Sequence, residues 1–274
     1  MYKIFDTHAH YSDEKYNSDR IELFEHLLSV GVDRITLIGS NYLESKKEKD
    51  LAINSNLIQN VPKFYFAVGD HPDDILKCSP ESDEGVKHLE KIKELAYVDG
   101  KLEAIAIGEI GLDYHGDFKA IEDFNNQKRW FIAEMELARK LGLPIVVHSR
   151  DACEDTLNLV KEYGKNLTGI IHCFSYEKEI AKEYTKLGFH IGIGGTVTFK
   201  NARKVKEVVK AIAIENIVTE TDAPYLAPMP YRGERNESGY IKYVIEEIAN
   251  IKEKDAFSIS EILYKNAMDV YNIK

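Results

Sequence analysis

Cysteine is scarce in this 274-residue chain. Only Cys78, Cys153 and Cys173 occur, an odd number with no Cys-x-x-Cys pair. A disulfide framework is therefore not expected, and a reducing, cytoplasmic compartment is. No apolar run approaches the length needed to span a bilayer, so no membrane association is expected. Nor does a charged-then-apolar leader open the sequence, so no signal peptide is read. Positive charge is in deficit as well: 36 Lys and Arg face 46 Asp and Glu, for a net charge of −10. That balance argues against a protein coated for nonspecific binding to long duplex nucleic acid. It leaves room for an enzyme that takes one strand end into a pocket where cations neutralise the phosphate. Repeats, low-complexity runs and candidate linkers are missing. The hydrophobic content of 44% and charged content of 30% describe an ordinary globular chain with a large core.

Strand-like runs are present at 2–8, 34–39, 64–69, 104–109, 144–149, 168–173, 189–194 and 217–222. Polar or amphipathic stretches separate them at about 18–30, 44–58, 82–97, 120–141, 151–163, 176–187 and 200–211. In 120–141 one helical stripe collects Trp130, Phe131, Met135, Ala138 and Leu141, with Gly142 and Pro144 ending it, and these aromatics read as core. An eighth helix fits about 237–250, and Ser258-Ile259-Ser260-Glu261 reads as a capping box for one more, ahead of Ile262, Leu263, Ala267 and Val270. This alternation predicts an α/β fold: a single-domain (β/α)8 TIM barrel with an extra C-terminal helix. An open doubly wound sheet is the alternative, but no glycine-rich phosphate loop follows the first strand.

Six residues able to bind metals close these runs: His8, His10, Glu109, His148, His172 and Asp222. Strand C-termini of a barrel open on one face, so distant pieces of sequence can converge there. His8 and His10 are two apart and project to the same side of a strand. Asp6 shares that parity and is placed to support an imidazole from behind. Glu109 carries two oxygens and can bridge two cations. No lysine lies inside strand four to be carbamylated as a bridge, so the bridge falls to Glu109. His148 and His172 would complete a second metal site. Asp222 can hold one metal and accept a proton from the attacking water, and Glu220, of the same parity, should sit deeper. Cys173 should point away from the ligands, into packing. His26, His88 and His190 read as structural or solvated, and His115 stays open between the two readings. His71, in Gly69-Asp70-His71-Pro72, closes strand three on the ligand face and reads as a substrate contact. Imidazole with carboxylate suits Zn, Mn, Ni or Co, and Mg where oxygen dominates. Two such cations, about 3.5–4 Å apart, can share a nucleophilic hydroxide. The residues alone thus point to a binuclear metallohydrolase.

Several stretches together resemble the TatD family of metal-dependent deoxyribonucleases, within the amidohydrolase-type barrels. They are Asp6-Thr7-His8-Ala9-His10, Gly69 to Pro72, Gly108 to Tyr114, Val147-His148-Ser149-Arg150-Asp151-Ala152 and Ile171-His172-Cys173-Phe174-Ser175. Gly192-Ile193-Gly194-Gly195, Glu220-Thr221-Asp222-Ala223-Pro224-Tyr225-Leu226, Arg232-Gly233-Glu234-Arg235-Asn236 and Asn266 complete the set. The resemblance implies one metal on His8, His10, Glu109 and Asp222 and a second on Glu109, His148 and His172. It also implies hydrolysis of DNA phosphodiesters from a 3′ end of single strands, with Asp222 and Glu109 catalytic and no obligatory protein partner. Other members of this kind are linked to further hydrolysis, including deacylation of mischarged tRNA. A barrel hydrolase of esters, lactones or cyclic amides is therefore the alternative, and a noncatalytic metal-binding scaffold a third reading. Arg150 and Arg232 are the candidates for holding phosphate, because an arginine fork matches its geometry. The chain departs from the family pattern at Asp70, where an apolar residue is usual, and at Glu237-Ser238-Gly239-Tyr240, in place of a Pro-containing turn. Both departures are expected near the path of the substrate.

Overall fold

The computed structural model describes residues 1–115 and 120–274, and the expected alternation closes into a barrel. Its strands are β1 (Ile4–Ala9), β2 (Val32–Ile38) and β3 (Lys63–Val68), followed by a small hairpin of β4 (Tyr97–Val98) and β5 (Lys101–Leu102) outside the barrel. The barrel resumes with β6 (Ala106–Asp113), β7 (Ile145–Arg150), β8 (Gly169–Ile171), β9 (Phe189–Ile193) and β10 (Ile217–Thr219). These eight pair in parallel and in chain order. A parallel bridge between Ala9 and Ala223 brings the two ends together, where the His10 amide donates to the Ala223 carbonyl at 2.8 Å. Every residue of β1 and of β6 is buried. Such burial on both faces follows from side chains filling the interior while helices cover the outside.

The helices are α1 (Arg20–Ser29), α2 (Tyr42–Ser55), α3 (Asp83–Leu95), α4 (Ile121–Leu141), α5 (Cys153–Tyr163), α6 (Lys178–Lys186), α7 (Arg203–Ala211), α8 (Ile241–Lys252) and α9 (Ala256–Val270). The α4 stripe buries Trp130, Phe131, Met135 and Ala138, and Gly142 ends the helix at φ 68°. Two expectations are corrected. The helix read to residue 97 stops at Leu95, and the chain turns through Asp99-Gly100, both at positive φ, into the β4–β5 hairpin. Asp-Gly is the turn such a hairpin needs. The cap of α9 is Asp255, not Ser258: its carboxylate accepts from the Ser258 amide, so Ser258 lies inside the first turn.

Helix α9 seals the barrel floor. Its Tyr264, Ala267 and Val270, with Tyr271 just after it, pack against Phe5, Ala67, Ala106, Val146, Ile170 and Val218. The Tyr271 hydroxyl donates to the Thr7 carbonyl at 2.7 Å. The opposite, C-terminal end of the strands is left open. Cys78, Cys153 and Cys173 are free thiols. Among the described residues no helix is long and apolar enough to cross a membrane.

Candidate metal centre

His8 lies inside β1 and His10 one residue beyond it, and their Nε2 atoms meet 3.1 Å apart. His10 Nδ1 lies 2.8 Å from the Ile38 carbonyl, which makes Nδ1 a protonated nitrogen and leaves Nε2 as the atom that faces the cluster. The eighth barrel strand, β10, is shorter than expected. It ends at Thr219, the chain then crosses toward β1, and the Asp222 amide donates to the His8 carbonyl at 2.9 Å. At φ 57°, Asp222 turns its Oδ1 to within 3.4 Å of His10 Nε2 and 3.8 Å of His8 Nε2. Asp6 does not support an imidazole, contrary to expectation. Its oxygens accept from the His8 and Thr221 amides and from the Thr221 and Ser238 hydroxyls, so it pins the backbone that carries the ligands.

A register shift between Ile107 and Ile110 takes Glu109 out of the β6–β7 ladder. Its carboxylate then faces two ways. Oε2 is 3.5 Å from His8 Nε2, while Oε1 is 2.8 Å from His148 Nδ1 and 3.4 Å from His172 Nε2. Beyond the shift Gly111 pairs with His148, and a Cβ there would lie 2.0 Å from the His148 carbonyl oxygen, so only glycine permits this approach. On its far side His148 Nε2 meets Asp113 Oδ2 at 3.0 Å, a partner that fixes the ring. Glu220 sits deeper, as expected, 1% exposed, with Oε1 accepting from the Cys173 amide and lying 3.4 Å from His172 Nδ1. Gly192 makes room for it, since a Cβ there would meet Glu220 Oε2 at 2.4 Å. Cys173 corrects the alternation argument. β8 ends at Ile171, Cys173 adopts φ 45°, and its sulfur comes within reach of the His172 and Asp222 ligand atoms. Burial, with the charges of Asp222, Glu220 and Glu109, pushes its thiol pKa well up, so it is held as the neutral, poorly ligating form.

The donor set fits divalent cations. Ligand atoms of His8, His10 and Asp222 lie within 4.8 Å of one another, and so do those of His71, Glu109 and His148. Buried nitrogens such as His8 Nδ1 have no hydrogen-bond partner, and so many converging polar atoms are costly to bury without a counter-charge. Burial works against ionising Glu109, but His172, His148 and His8 overcome it and hold its pKa well below the usual carboxylate range. Asp222 is lowered in the same manner, against burial, by His10, His172 and His8. Burial disfavours protonated imidazoles, yet Asp222 and Glu109 raise His10 to about 9. Asp113 and Glu109 raise His148 to about 9, and Glu220 and Glu109 raise His172 to about 10. Cation binding must therefore displace protons from these rings.

The cluster forms the floor of a cavity of about 790 Å³. His71 lines it, its ring 4.3 Å from that of His148, and its Nδ1 accepts from the Asp73 amide at 3.2 Å. Arg150 and Arg232 do not line it. Both are exposed, and the Arg232 guanidinium lies 4.5 Å over the Phe199 ring. Asp70 and the 237–240 segment do not line the cavity either. Asp70 is buried against His88 at 2.7 Å, and Ser238 is buried against Asp6. This contact makes His88 structural, as read. His115 Nδ1 pairs with exposed Asp151 at 2.8 Å. Sequence reasoning missed Asp113, Tyr225 and the acidic wall of Asp13, Glu14, Glu44, Glu48 and Asp74, which holds one lysine, Lys47. Asp113 was within reach, since it shares parity with Glu109 on β6.

A barrel whose strand ends gather imidazoles and carboxylates on one open face belongs to the metal-dependent hydrolases. The profile of the TatD related DNase family matches residues 5–272. The chain is 40% identical over 271 residues to the uncharacterized metal-dependent hydrolase YabD of Bacillus subtilis, spanning 98% of this chain and 99% of that one. It is 28% identical over 276 residues to the 3′-5′ ssDNA/RNA exonuclease TatD of Escherichia fergusonii, with 98% and 99% covered. The fold matches the crystal structure of YjjV, a TatD homologue from Escherichia coli, with TM-score 0.84 at 24% identity, covering 99% of this chain and 98% of that one. The chain belongs to the TatD family.

Proposed function

We propose that the whole chain acts as one barrel unit, a binuclear metal-dependent deoxyribonuclease that cleaves phosphodiester bonds from a 3′ end of single-stranded DNA. One observation carries this reading: the two oxygens of Glu109 face different imidazoles, His8 on one side and His148 with His172 on the other. In this assignment His8, His10, Glu109 and Asp222 hold one cation, and Glu109, His148 and His172 the other. The metal is Zn, Mn, Ni or Co, or Mg. The bound pair supplies Lewis acidity to the phosphoryl oxygen and lowers the pKa of the attacking water. Asp222, kept ionised by its imidazole neighbours, takes the water's proton on a carboxylate oxygen as the water oxygen bonds to phosphorus. The scissile P–O bond breaks with its electron pair leaving on the sugar oxygen, which is then protonated by Asp222 or by solvent. His71 is held neutral, since burial lowers its pKa, and its Nδ1 is an acceptor. Its Nε2–H is thus left to donate to a phosphate oxygen. Arg150 and Arg232, outside the cavity, take phosphates further along the strand.

The acidic wall favours a second reading. Asp13, Glu14, Glu44, Glu48 and Asp74 repel phosphate but suit a neutral or cationic substrate, such as a lactone, cyclic amide or the aminoacyl ester of a mischarged tRNA. One assay separates the two. Purified protein loaded with each metal in turn is given a 3′-labelled linear single strand, its circular form, and a panel of esters and lactams. The nuclease reading expects metal-dependent release of mononucleotides from the linear strand and a stall on the circle. Turnover of esters or lactams alone replaces it with the second reading.

A further inference from the structure

We infer that Tyr225 and Lys15 form a nucleobase subsite on the cavity rim, where the ring stacks the base of the terminal nucleotide and the ammonium faces its phosphate. This inference rests on the nuclease reading. Tyr225 follows Asp222 by three residues, lines the cavity and is 49% exposed. Its ring centre is 6.5 Å from that of His10, inclined at 61°, which puts the ring beside the candidate cation ligands. Lys15 Nζ lies 4.7 Å over one face of the same ring, so a stacked base takes the opposite face.

Both residues are anchored in a way an idle surface pair would not need. The Tyr225 amide donates to the Asp222 carbonyl at 2.8 Å, and its own carbonyl accepts from Asn236 Nδ2 at 2.7 Å. That fully buried amide also donates to the Thr221 carbonyl at 2.9 Å. The neighbouring Arg235 donates to the Lys15 carbonyl at 2.8 Å and is clamped by both oxygens of Asp19 at 2.7 and 2.6 Å. Arg235 and Asn236 thus fix the loop under the ring and the loop under the ammonium together. The charge of the wall explains why an aromatic is wanted here. A strand entering past Glu44, Glu48 and Asp74 gains little from a basic groove, whereas stacking needs no charge and accepts any base. It does need an unpaired base, and that selects single-stranded ends over duplex ones.

The test compares kcat/KM for a linear oligothymidylate with that for the same strand ending in an abasic tetrahydrofuran residue. Metal-loaded wild type should prefer the natural end by about 5- to 100-fold. In Tyr225→Ala the preference should fall to within about 2-fold, with the loss in KM, while Tyr225→Phe and Tyr225→Trp retain it. Lys15→Gln should weaken both strands by a similar factor. An unchanged preference in Tyr225→Ala, a lost one in Tyr225→Phe, or a Lys15→Gln effect confined to one strand overturns the subsite. Wild type that digests DNA without preferring the natural end overturns it too, and leaves the nuclease reading standing. Wild type that releases no nucleotide from either strand overturns the nuclease reading, and the subsite falls with it.

Discussion

The two ends of the barrel are built from the same strands and hold opposite chemistry. On β7, Val146 belongs to the sealed floor while His148, two residues on, belongs to the mouth. Ile170 and His172 repeat that step at β8. The floor is apolar side chains and tyrosines closed by α9, and the Tyr271 hydroxyl it buries is bonded to Thr7. The mouth crowds imidazoles and carboxylates, some of whose buried atoms lack partners. On both strands the two layers adjoin, so stability should reside in the floor and chemistry in the mouth, and substitutions at the two ends should have separable effects.

The largest effect is expected at the mouth. Glu109→Ala removes the only carboxylate among the described residues that faces both His8 and the His148–His172 pair, so metal content should drop and hydrolysis should be abolished. The apolar floor should keep its far-UV circular dichroism unchanged. Elemental analysis beside a rate measurement checks this, and two metals per chain with a near-normal rate would sink the bridging role. Asp222→Asn should be milder in binding and still severe in rate. It keeps an oxygen donor toward His10 but accepts a proton poorly, so kcat should fall by roughly 10²–10⁴-fold or more. A rate within a few-fold of wild type at saturating metal would remove Asp222 as the base.

Much of this division was legible in the sequence, because a buried parallel strand announces itself as a β-branched run and each candidate ligand closes such a run, although in the structure Glu109 lies inside β6 and Asp222 beyond β10. His8, His10, Glu109, His148, His172 and Asp222 were located by that rule alone, and they do converge. Alternation failed where backbone pairing changes partner. β10 stops at Thr219 because the next residues bond to β1, and Cys173 faces the cluster because β8 has already ended. Asp6 was misread for a related reason, since the Thr221 turn that its carboxylate holds is made by a segment more than 200 residues away. The acidic wall was hidden because Glu44 and Glu48 come from α2, whose orientation over the mouth no local pattern shows. The hairpin at Asp99-Gly100 carried its own signal and was overlooked.

At the floor the expected effect is on stability. Phe5 is 1% exposed, with ring centres of Tyr65, Tyr264 and Tyr271 at 5.9, 6.2 and 5.9 Å. Phe5→Ala should cost about 3–5 kcal/mol through lost burial and the cavity left behind. Chemical denaturation reads that loss directly. Metal content and kcat/KM per folded molecule should not change, and a fall in either would show that floor and mouth are not independent.

The smallest effect sharpens the comparison at a third place, a charge cluster that belongs to neither end. Behind the exit of β3, the buried Glu134 accepts from the Asp70 amide at 2.9 Å, and Asp70 contacts His88 at 2.7 Å. Among the described residues this cluster, unlike the mouth, is not one of the convergent ligand sets, and its two carboxylates share a single imidazole, His88 on Asp70. Burial, with the Asp70 charge added, pushes the Glu134 pKa well above its ordinary 4.5. Burial raises Asp70 too, though His88 pulls it back. A carboxyl raised on folding contributes stability that is fully present below its unfolded pKa and is lost as pH climbs through the folded one. Glu134→Gln keeps the oxygen that accepts from Asp70 and cannot ionise. Urea midpoints of variant and parent should therefore nearly coincide at pH 5, and the variant should become the more stable of the two toward pH 9. Parallel curves over that interval would mean that Glu134 is already ionised in the folded chain, and that charge is tolerated away from the mouth as readily as within it.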